Sequence, residues 1–256
     1  NVPDLSASPK SLPTAGLVAI VTPTSVASFR LESASSAIAN PRAIATTENG
    51  ILVADGGDPA VSYSGRIVEL DRAGKSTTLF KGIGNALASP DGRTYLFGLS
   101  DIAARGNDIY FVTGEGAWIQ DPLYAPNRLM RLNQDGVPEE VFSFDDVEKL
   151  DPDGLGEDSN ATGVALAPDN SIWVTDAAGN WAAHLAQDGS VLSVFTFPEV
   201  DSEQAVPTGI TVGPDGFAYV ALFHCRGASA GNGGIARLNP AGEVSGVVSG
   251  SATPID

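Results

Sequence analysis

Carboxylate and indole side chains follow short apolar segments at recurring points along this chain. Carboxylates bind cations or basic groups, and indole rings stack on flat ligands or on partner side chains. If the fold brings these residues to one surface, the sequence predicts a ligand-binding site there. The six candidates are Asp55, Asp101, Glu115, Trp118, Asp176 and Trp181.

Each candidate also has a purely structural interpretation. Asp101, like Asp256, stands where an apolar segment begins, so it could line a cation or water site. The alternative is that it accepts hydrogen bonds from the backbone of a neighbouring sheet. Trp118 and Trp181 could bind a ligand or pack beneath long loops. The sequence leaves these alternatives open.

A further group of acidic residues crowds the segment 144–160, FDDVEKLDPDGLGEDSN. Ca²⁺ takes about six to eight oxygen ligands, largely from carboxylates and carbonyls. An EF-hand register that starts at Asp151 fails, because Leu155 takes the fifth place and Thr162 the twelfth. The segment therefore predicts either a calcium loop of another kind or an acidic loop that caps its own turns. The metal candidates are Asp151, Asp153, Asp158 and Asn160.

The segments that position these residues are written in repeats. ATGVALAPDNSIWVTDA (161–177) and PTGITVGPDGFAYVALF (207–223) both alternate apolar and polar residues, which is the period of a half-buried strand. Each copy has a Pro-Asp turn at its centre, which predicts a β-hairpin. With the apolar segments that follow each hairpin, the repeats form four units of four strands. The units span about 41–81, 100–144, 161–197 and 207–248.

Four-stranded antiparallel units in tandem are typical of a β-propeller, in which each unit is a blade and its first strand lies innermost. The sequence therefore predicts an all-β fold. The third strand of every blade ends at a leucine, and a glycine follows in the next turn. These residues are Leu70, Leu132, Leu185 and Leu238, with Gly74, Gly136, Gly189 and Gly242. Residues 90–97 predict an additional hairpin, inserted between the first two blades.

The blades differ mainly on one side. The spacing from the first to the second strand is nearly constant, whereas the spacing from the second to the third varies widely. In a propeller, the turns that follow the first and third strands share one face, and the remaining loops share the other. Variable loops usually mark the binding face. We therefore expect the six candidate residues on the face with the long loops.

The chain is predicted to begin with an extended tail at 1–15, which is rich in Pro and Ser, followed by a propeller domain at 16–256. A fifth blade is expected to open at Pro254. Four blades and an opening do not close a ring, so either further residues after Asp256 or a second chain must complete it. The tail could also dock into a neighbouring copy and form a homo-oligomer.

The charge balance restricts the classes of partner. The formal net charge is −17, which disfavours nucleic acid and anionic membrane surfaces and favours cations or basic partners. The same charge also serves solubility. No apolar run approaches the ~20 residues that cross a bilayer. Cys225 is the only cysteine, so this sequence contains no internal disulfide.

The order of motifs resembles the ScyD/ScyE family of secreted β-propellers and, more distantly, NHL-type repeats. The matching segments are NPRAIA (40–45), PDG with SDIA (90–92, 100–103), DSNATGVALAPDNSIWVTDAAGN (158–180) and AVPTGITVGPDGFAYVA (205–221). The resemblance implies six blades, an export signal and a secreted or periplasmic location. It also places the strand candidate at 26–31 in the last blade, where it would close the ring, with two further blades after Asp256.

Two functional hypotheses follow. The first is a secreted, non-enzymatic propeller that binds a partner or ligand through its acidic, loop-rich face. The alternative is a Ca²⁺-dependent hydrolase or lactonase, similar to gluconolactonase and strictosidine synthase propellers. Those lactonases have Asn before the glycine of the innermost strand, where this chain has Thr162 and Thr208. The ScyD/ScyE resemblance brings no catalytic motif, which favours the first hypothesis.

Overall fold

The computed structural model describes most of the propeller region. The described residues are 38–84, 86–88, 94–96, 98–114, 126–199, 204–223, 233–240 and 243–251. All of them belong to the larger of two compact units, Ala34–Asp256. Several predicted features lie outside the described residues: the tail 1–15, the strand at 26–31, Glu115, Trp118, Gly242, Asp256 and the opening of a fifth blade at 254.

Four four-stranded antiparallel sheets follow one another along the chain. Blade 1 consists of β1 (Pro41–Thr46), β2 (Gly50–Asp55), β3 (Gly65–Asp71) and β4 (Ser76–Ile83). A separate two-stranded hairpin follows, with β5 (Ala86–Ala88) and β6 (Thr94–Leu96). Blade 2 consists of β7 (Leu99–Arg105), β8 (Asp108–Thr113), β9 (Arg128–Leu132) and β10 (Pro138–Ser143).

A single helical turn, α1 (Asp145–Glu148), comes after blade 2. Blade 3 consists of β11 (Ala161–Leu166), β12 (Ile172–Asp176), β13 (Trp181–Leu185) and β14 (Val191–Thr196). Blade 4 consists of β15 (Pro207–Val212), β16 (Ala218–Leu222), β17 (Gly233–Leu238) and β18 (Val244–Ser251). No helix among the described residues is long and apolar enough to cross a membrane.

The propeller arrangement predicted from the repeats is confirmed. Within each blade the strands pair in chain order. The first strands of successive blades contact one another, β1 with β7, β7 with β11 and β11 with β15, so these strands line the axis. The predicted inserted hairpin is also present between blades 1 and 2. The described residues form four blades, and the ring of six stays a prediction.

Apolar side chains fill the spaces between neighbouring blades. One buried cluster joins blades 2 and 3 around Trp181, a second joins blades 3 and 4 around Trp173, and a third joins blades 1 and 2 around Phe111. The leucines that were expected near the ends of the third strands are all buried. The glycines in the following turns adopt positive φ at Gly74, Gly136 and Gly189, which a side chain would disfavour.

Strand direction separates the connections into two faces. The connections β1–β2 and β3–β4, and their counterparts in the other blades, are short and share what we call the turn face. The connections β2–β3 and the links between blades share the opposite loop face. Among the described residues, 56–64, 114, 126–127 and 144–160 belong to the loop face. The division that was predicted from the spacings is therefore present in the described blades.

Candidate functional site

The second strand of blade 1 ends in a buried carboxylate that accepts hydrogen bonds from neighbouring segments. The Asp55 carboxylate accepts hydrogen bonds from the backbone N–H groups of Asn40 and Gly57, at 2.8 and 3.1 Å, and from Arg66 Nε at 2.9 Å. Burial acts to raise the pKa of Asp55, but these hydrogen bonds outweigh it and the pKa lies below its usual value. Asp55 therefore fixes the start of blade 1 and the following loop.

Asp176 occupies the equivalent position in blade 3. Its carboxylate accepts hydrogen bonds from the N–H groups of Asn160 and Gly179, both at 2.9 Å, and from the Ser159 hydroxyl. No cation pairs with it among the described residues. Burial therefore prevails and raises the pKa of Asp176 above its usual value. The register places Thr113, and not the predicted Glu115, at this position in blade 2.

In blades 1, 2 and 3, the third-strand residue that pairs with this position binds a carboxylate on the loop face. Arg66 binds Asp55 in blade 1. Arg128 of blade 2 binds Asp145 on α1 at 2.7 Å. In blade 3 the position is Trp181, whose Nε1–H donates to Glu148 Oε1, also on α1. The helix is thus held from blade 2 at its first residue and from blade 3 at its last.

Glu148, the last residue of α1, is a second acidic group whose pKa this arrangement raises. Its side chain is 3% exposed and accepts the N–H groups of Trp181 and Asp158. Burial is the main cause that raises the pKa of Glu148 to about 7, and the neighbouring carboxylates of Asp176 and Asp153 add to the effect. The two N–H donors oppose it. Gly179 makes room for this carboxylate, because a Cβ there would meet Glu148 Oε1.

The raised pKa predicts a pH-dependent stability. Below about pH 4.5, Glu148 is protonated in both the folded and the unfolded state. Between about pH 4.5 and 7, only the folded state keeps the proton. The free energy of unfolding should therefore fall as pH rises through this window, by an amount on the order of 1–3 kcal/mol. Glu148→Gln should remove this component in urea titrations at successive pH values, leaving the slope of the same sign that Asp176 contributes.

An exposed residue of the same helix provides the control for this titration. Asp146→Asn removes a carboxylate from α1 that faces solvent and pairs with Lys149. It should leave the fall in stability between about 4.5 and 7 in place. An equal slope in the parent protein and in Glu148→Gln would contradict the role assigned to Glu148.

Asp101 connects two blades at the axis. One carboxylate oxygen accepts its own neighbour's N–H, from Ile102, and the other accepts the N–H of Val164 in β11, both at 2.8 Å. This is the backbone contact that was one of the two expectations for Asp101. Thr162 acts similarly, because its hydroxyl donates to the Pro207 carbonyl of the next blade at 3.1 Å. The innermost strands are thus linked through side chains.

The four calcium candidates lie around Glu148 and Asp176. Asp151 and Asp153 accept N–H groups of their own loop, from Gly156 and Leu155, both at 3.0 Å. Asp158 and Asn160 contribute backbone N–H groups to the buried carboxylates. Within the described ranges, no three His, Cys, Asp or Glu side chains are grouped so as to hold a metal ion. Calcium binding stays a prediction that a heat-shift assay with Ca²⁺ would test.

The sequence therefore located part of this region and missed part of it. The structure brings together Asp176, Trp181 and the segment 144–160, and it places Asp55 in a separate cluster on blade 1. Glu148 was not singled out. Asn180 was also missed; it adopts a φ of 55° and binds Phe197 O and Ala205 N, which fixes the link to blade 4. An Asn directly before a third strand, as at 127 and 180, is the signal available for it.

Solved β-propellers resemble this chain in fold. Virginiamycin B lyase from Staphylococcus aureus matches with 17% identity and a TM-score of 0.50, over 80% of this chain and 54% of the lyase. A chain of the nidogen/laminin complex matches with 14% identity and a TM-score of 0.54, over 83% and 65%. A Xanthomonas campestris gluconolactonase matches with 16% identity and a TM-score of 0.41, over 85% and 77%.

These similarities establish the class of protein as a β-propeller. Identities this low show the fold alone, and the TM-score of the lactonase is too low to carry an argument. The chain spans little more than half the length of virginiamycin B lyase. No protein-family model matches the chain, and no curated protein matches it. The resemblance to ScyD/ScyE therefore stays a prediction.

Proposed function

We propose that this propeller binds a protein partner through its loop face, at the segment 144–160 that follows blade 2. The observation that carries the proposal is the exposure of two leucines there, Leu150 at 79% and Leu155 at 57%. Contiguous exposed apolar patches mark interaction sites, and two large apolar side chains on one short loop can contribute to such a patch. The segment offers them on a loop whose base is fixed.

The segment that carries these leucines is anchored by a cluster of buried polar groups. α1 is bound by Arg128 and by Trp181, and the end of the segment is bound by Asp176. Because the loop is held at both ends, little conformational entropy is lost when a partner orders it further. This supports a preformed surface rather than one that folds on binding.

The charge around the leucines indicates the kind of partner. Asp146, Asp151, Glu157 and Asp158 are exposed on the same segment. Carboxylates around an apolar centre favour a partner with basic groups around an apolar patch, because complementary charge speeds encounter and excludes wrong partners. The overall net charge of −17 acts in the same direction.

The combined substitution Leu150→Ser and Leu155→Ser tests the proposal. The immobilised protein is incubated with the extracellular fraction of its own organism, and captured proteins are identified by mass spectrometry and purified. We expect the double variant to weaken the dissociation constant of the principal partner at least ~10-fold, as loss of exposed apolar anchors does. Stability should change little, because both side chains are exposed.

Val137→Ser is the matched control, because Val137 is 53% exposed on the turn face. It should leave the dissociation constant unchanged. The proposal fails if the double variant binds like the parent, or if the parent is strictly monomeric and captures nothing from that fraction.

The proposal extends to the architecture and location implied by the ScyD/ScyE resemblance: a secreted, six-bladed ring. Four described blades and the motifs at 158–180 and 205–221 support it. The gene sequence beyond these residues tests it, since two further copies of the hairpin pattern and an export signal are expected. Secretion is checked by fractionation of cells that express the whole gene.

A further inference from the structure

Two open clefts among the described residues of the turn face each lie at a junction between neighbouring blades. The larger, about 760 Å³, lies between blades 1 and 2 and is lined by the turns 47–49, 106–107 and 133–136. The smaller, about 410 Å³, lies between blades 3 and 4, where the turns 167–171 and 214–217 meet. Both lie on the face opposite the segment 144–160.

The strand register shows which residue occupies the equivalent place at each junction. Ile51, Ile109 and Ile172 pair with the leucines near the ends of their third strands. Each of these isoleucines also pairs with a residue of the first strand, close to the turn between the first and second strands. The next residue in each blade therefore occupies one equivalent position. These three residues are Thr47 in blade 1, Arg105 in blade 2 and Ala167 in blade 3.

Arg105 spans the junction between blades 2 and 3. Its guanidinium donates to the Ala167 carbonyl of blade 3 at 2.9 Å. At the outer part of the same junction, the turn glycine Gly189 packs against the backbone of Val141. The side chains of Thr47 and Ala167 are too short to reach across, and each of these residues lines one of the two clefts. The clefts are therefore junctions that lack the arginine.

The larger cleft combines an apolar base with carboxylates. Leu52 and Leu132 are buried at its base. Glu48, Glu69 and Asp135 line it, and within the described residues no hydrogen bond or ion pair involves their carboxylates. Asp169 and Asp215 stabilise their own turns by accepting N–H groups, and Asp135 also stands in a turn.

In the turn that contains Asp135, Asn133 accepts the backbone N–H groups instead. Its Oδ1 accepts the N–H groups of Asp135 and Val137, at 3.0 and 2.9 Å, which leaves the Asp135 carboxylate outside the turn. In the smaller cleft the carboxylates are already engaged, Asp169 by Ser171 and Asp215 by Tyr219 and Arg237. Only the larger of these two clefts thus offers carboxylates to a ligand.

We propose that the cleft between blades 1 and 2 binds an arginine side chain of a basic partner segment, in the place that Arg105 fills at the next junction. The methylene stem would pack on the leucines, and the guanidinium would pair with the carboxylates. The negative charge of the whole chain steers such a segment towards it. This site is independent of the partner surface on the loop face.

A fluorescein-labelled peptide, Gly-Leu-Arg-Leu-Gly, is the probe, with the same peptide carrying citrulline in place of arginine. Polarisation at low salt should give saturable binding of the arginine peptide, weakened about 10-fold or more by the neutral citrulline and by added salt. Thr47→Arg should abolish binding, because the new side chain fills the cleft from within. Glu69→Gln should weaken it without adding bulk.

Two controls separate this site from other acidic surfaces. Ala167→Arg places the same side chain at the junction of blades 3 and 4 and should leave binding unchanged. The loop-face variant with Leu150→Ser and Leu155→Ser should also bind like the parent, so failure of the partner proposal would not affect this one. Equal binding of the two peptides, no saturable binding, or full binding by both Thr47→Arg and Glu69→Gln would overturn the inference.

Discussion

Asp176→Ala should lower the free energy of unfolding by about 3–5 kcal/mol, because it leaves three donors to this buried carboxylate without their acceptor at roughly 1–3 kcal/mol each. The substitution leaves the N–H groups of Asn160 and Gly179 without their acceptor, and neither gains water at this 0% exposed position. Because Asn160 belongs to the link that leads into β11 and Gly179 to the loop that follows β12, both segments lose their attachment. Urea unfolding followed by tryptophan fluorescence measures the loss.

Asp176→Asn separates hydrogen bonding from charge. An amide oxygen still accepts one or two N–H groups. The substitution also removes the cost of burying a charge, and it is this cost that raises the pKa of Asp176. We therefore expect a smaller loss, about 1–2 kcal/mol. Asp188→Ala is the control, since Asp188 serves only its own exposed turn. If Asp176→Ala were no more harmful than Asp188→Ala, the anchoring role would be wrong.

The blades were predictable because their signals are local. Alternation along 161–166 and a turn at Pro168-Asp169 specify a hairpin without reference to the rest of the chain. The repetition of that hairpin then specifies the propeller. The leucine and glycine positions follow from the same repeat, and the structure confirms them where it describes them.

The roles of the candidate residues were less predictable, because they depend on contacts between distant segments. The end of β12 does not show whether Asp176 points to a ligand or to its own loop; that depends on where residues 159–160 return. Glu148 carried no signal, since α1 is too short for helical periodicity. Its position follows from Arg128 and Trp181, which belong to different blades.

Comparison of the repeats could have indicated the cleft between blades 1 and 2, but this cleft was not predicted. Aligning the repeats sets Thr47 against Arg105, but the alignment alone does not show that this arginine crosses to the next blade. The variable loops indicate binding on the loop face, whereas both clefts lie on the turn face. Variable loops and open junctions are thus separate indications of binding.

Trp181→Ala should lower the free energy of unfolding by about 3–5 kcal/mol, since a fully buried indole leaves a large cavity. Trp181 stacks on Phe144 at 5.5 Å and donates to Glu148, so the cavity opens beneath α1. Trp181→Phe should cost less, because a ring still contacts Phe144. Thermal and urea unfolding of the two variants measure the difference.

Both variants remove the N–H donor, which gives this prediction a second readout. That hydrogen bond opposes the raised pKa of Glu148, so without it the pKa should rise further. The fall of stability with pH should then extend above about pH 7 in Trp181→Phe, and this extension should be lost when Glu148→Gln is added. The losses of unfolding free energy caused by Trp181→Phe and by Glu148→Gln should also be non-additive, as expected for residues in direct contact. Additive losses with an unchanged pH profile would show that Trp181 acts by packing alone.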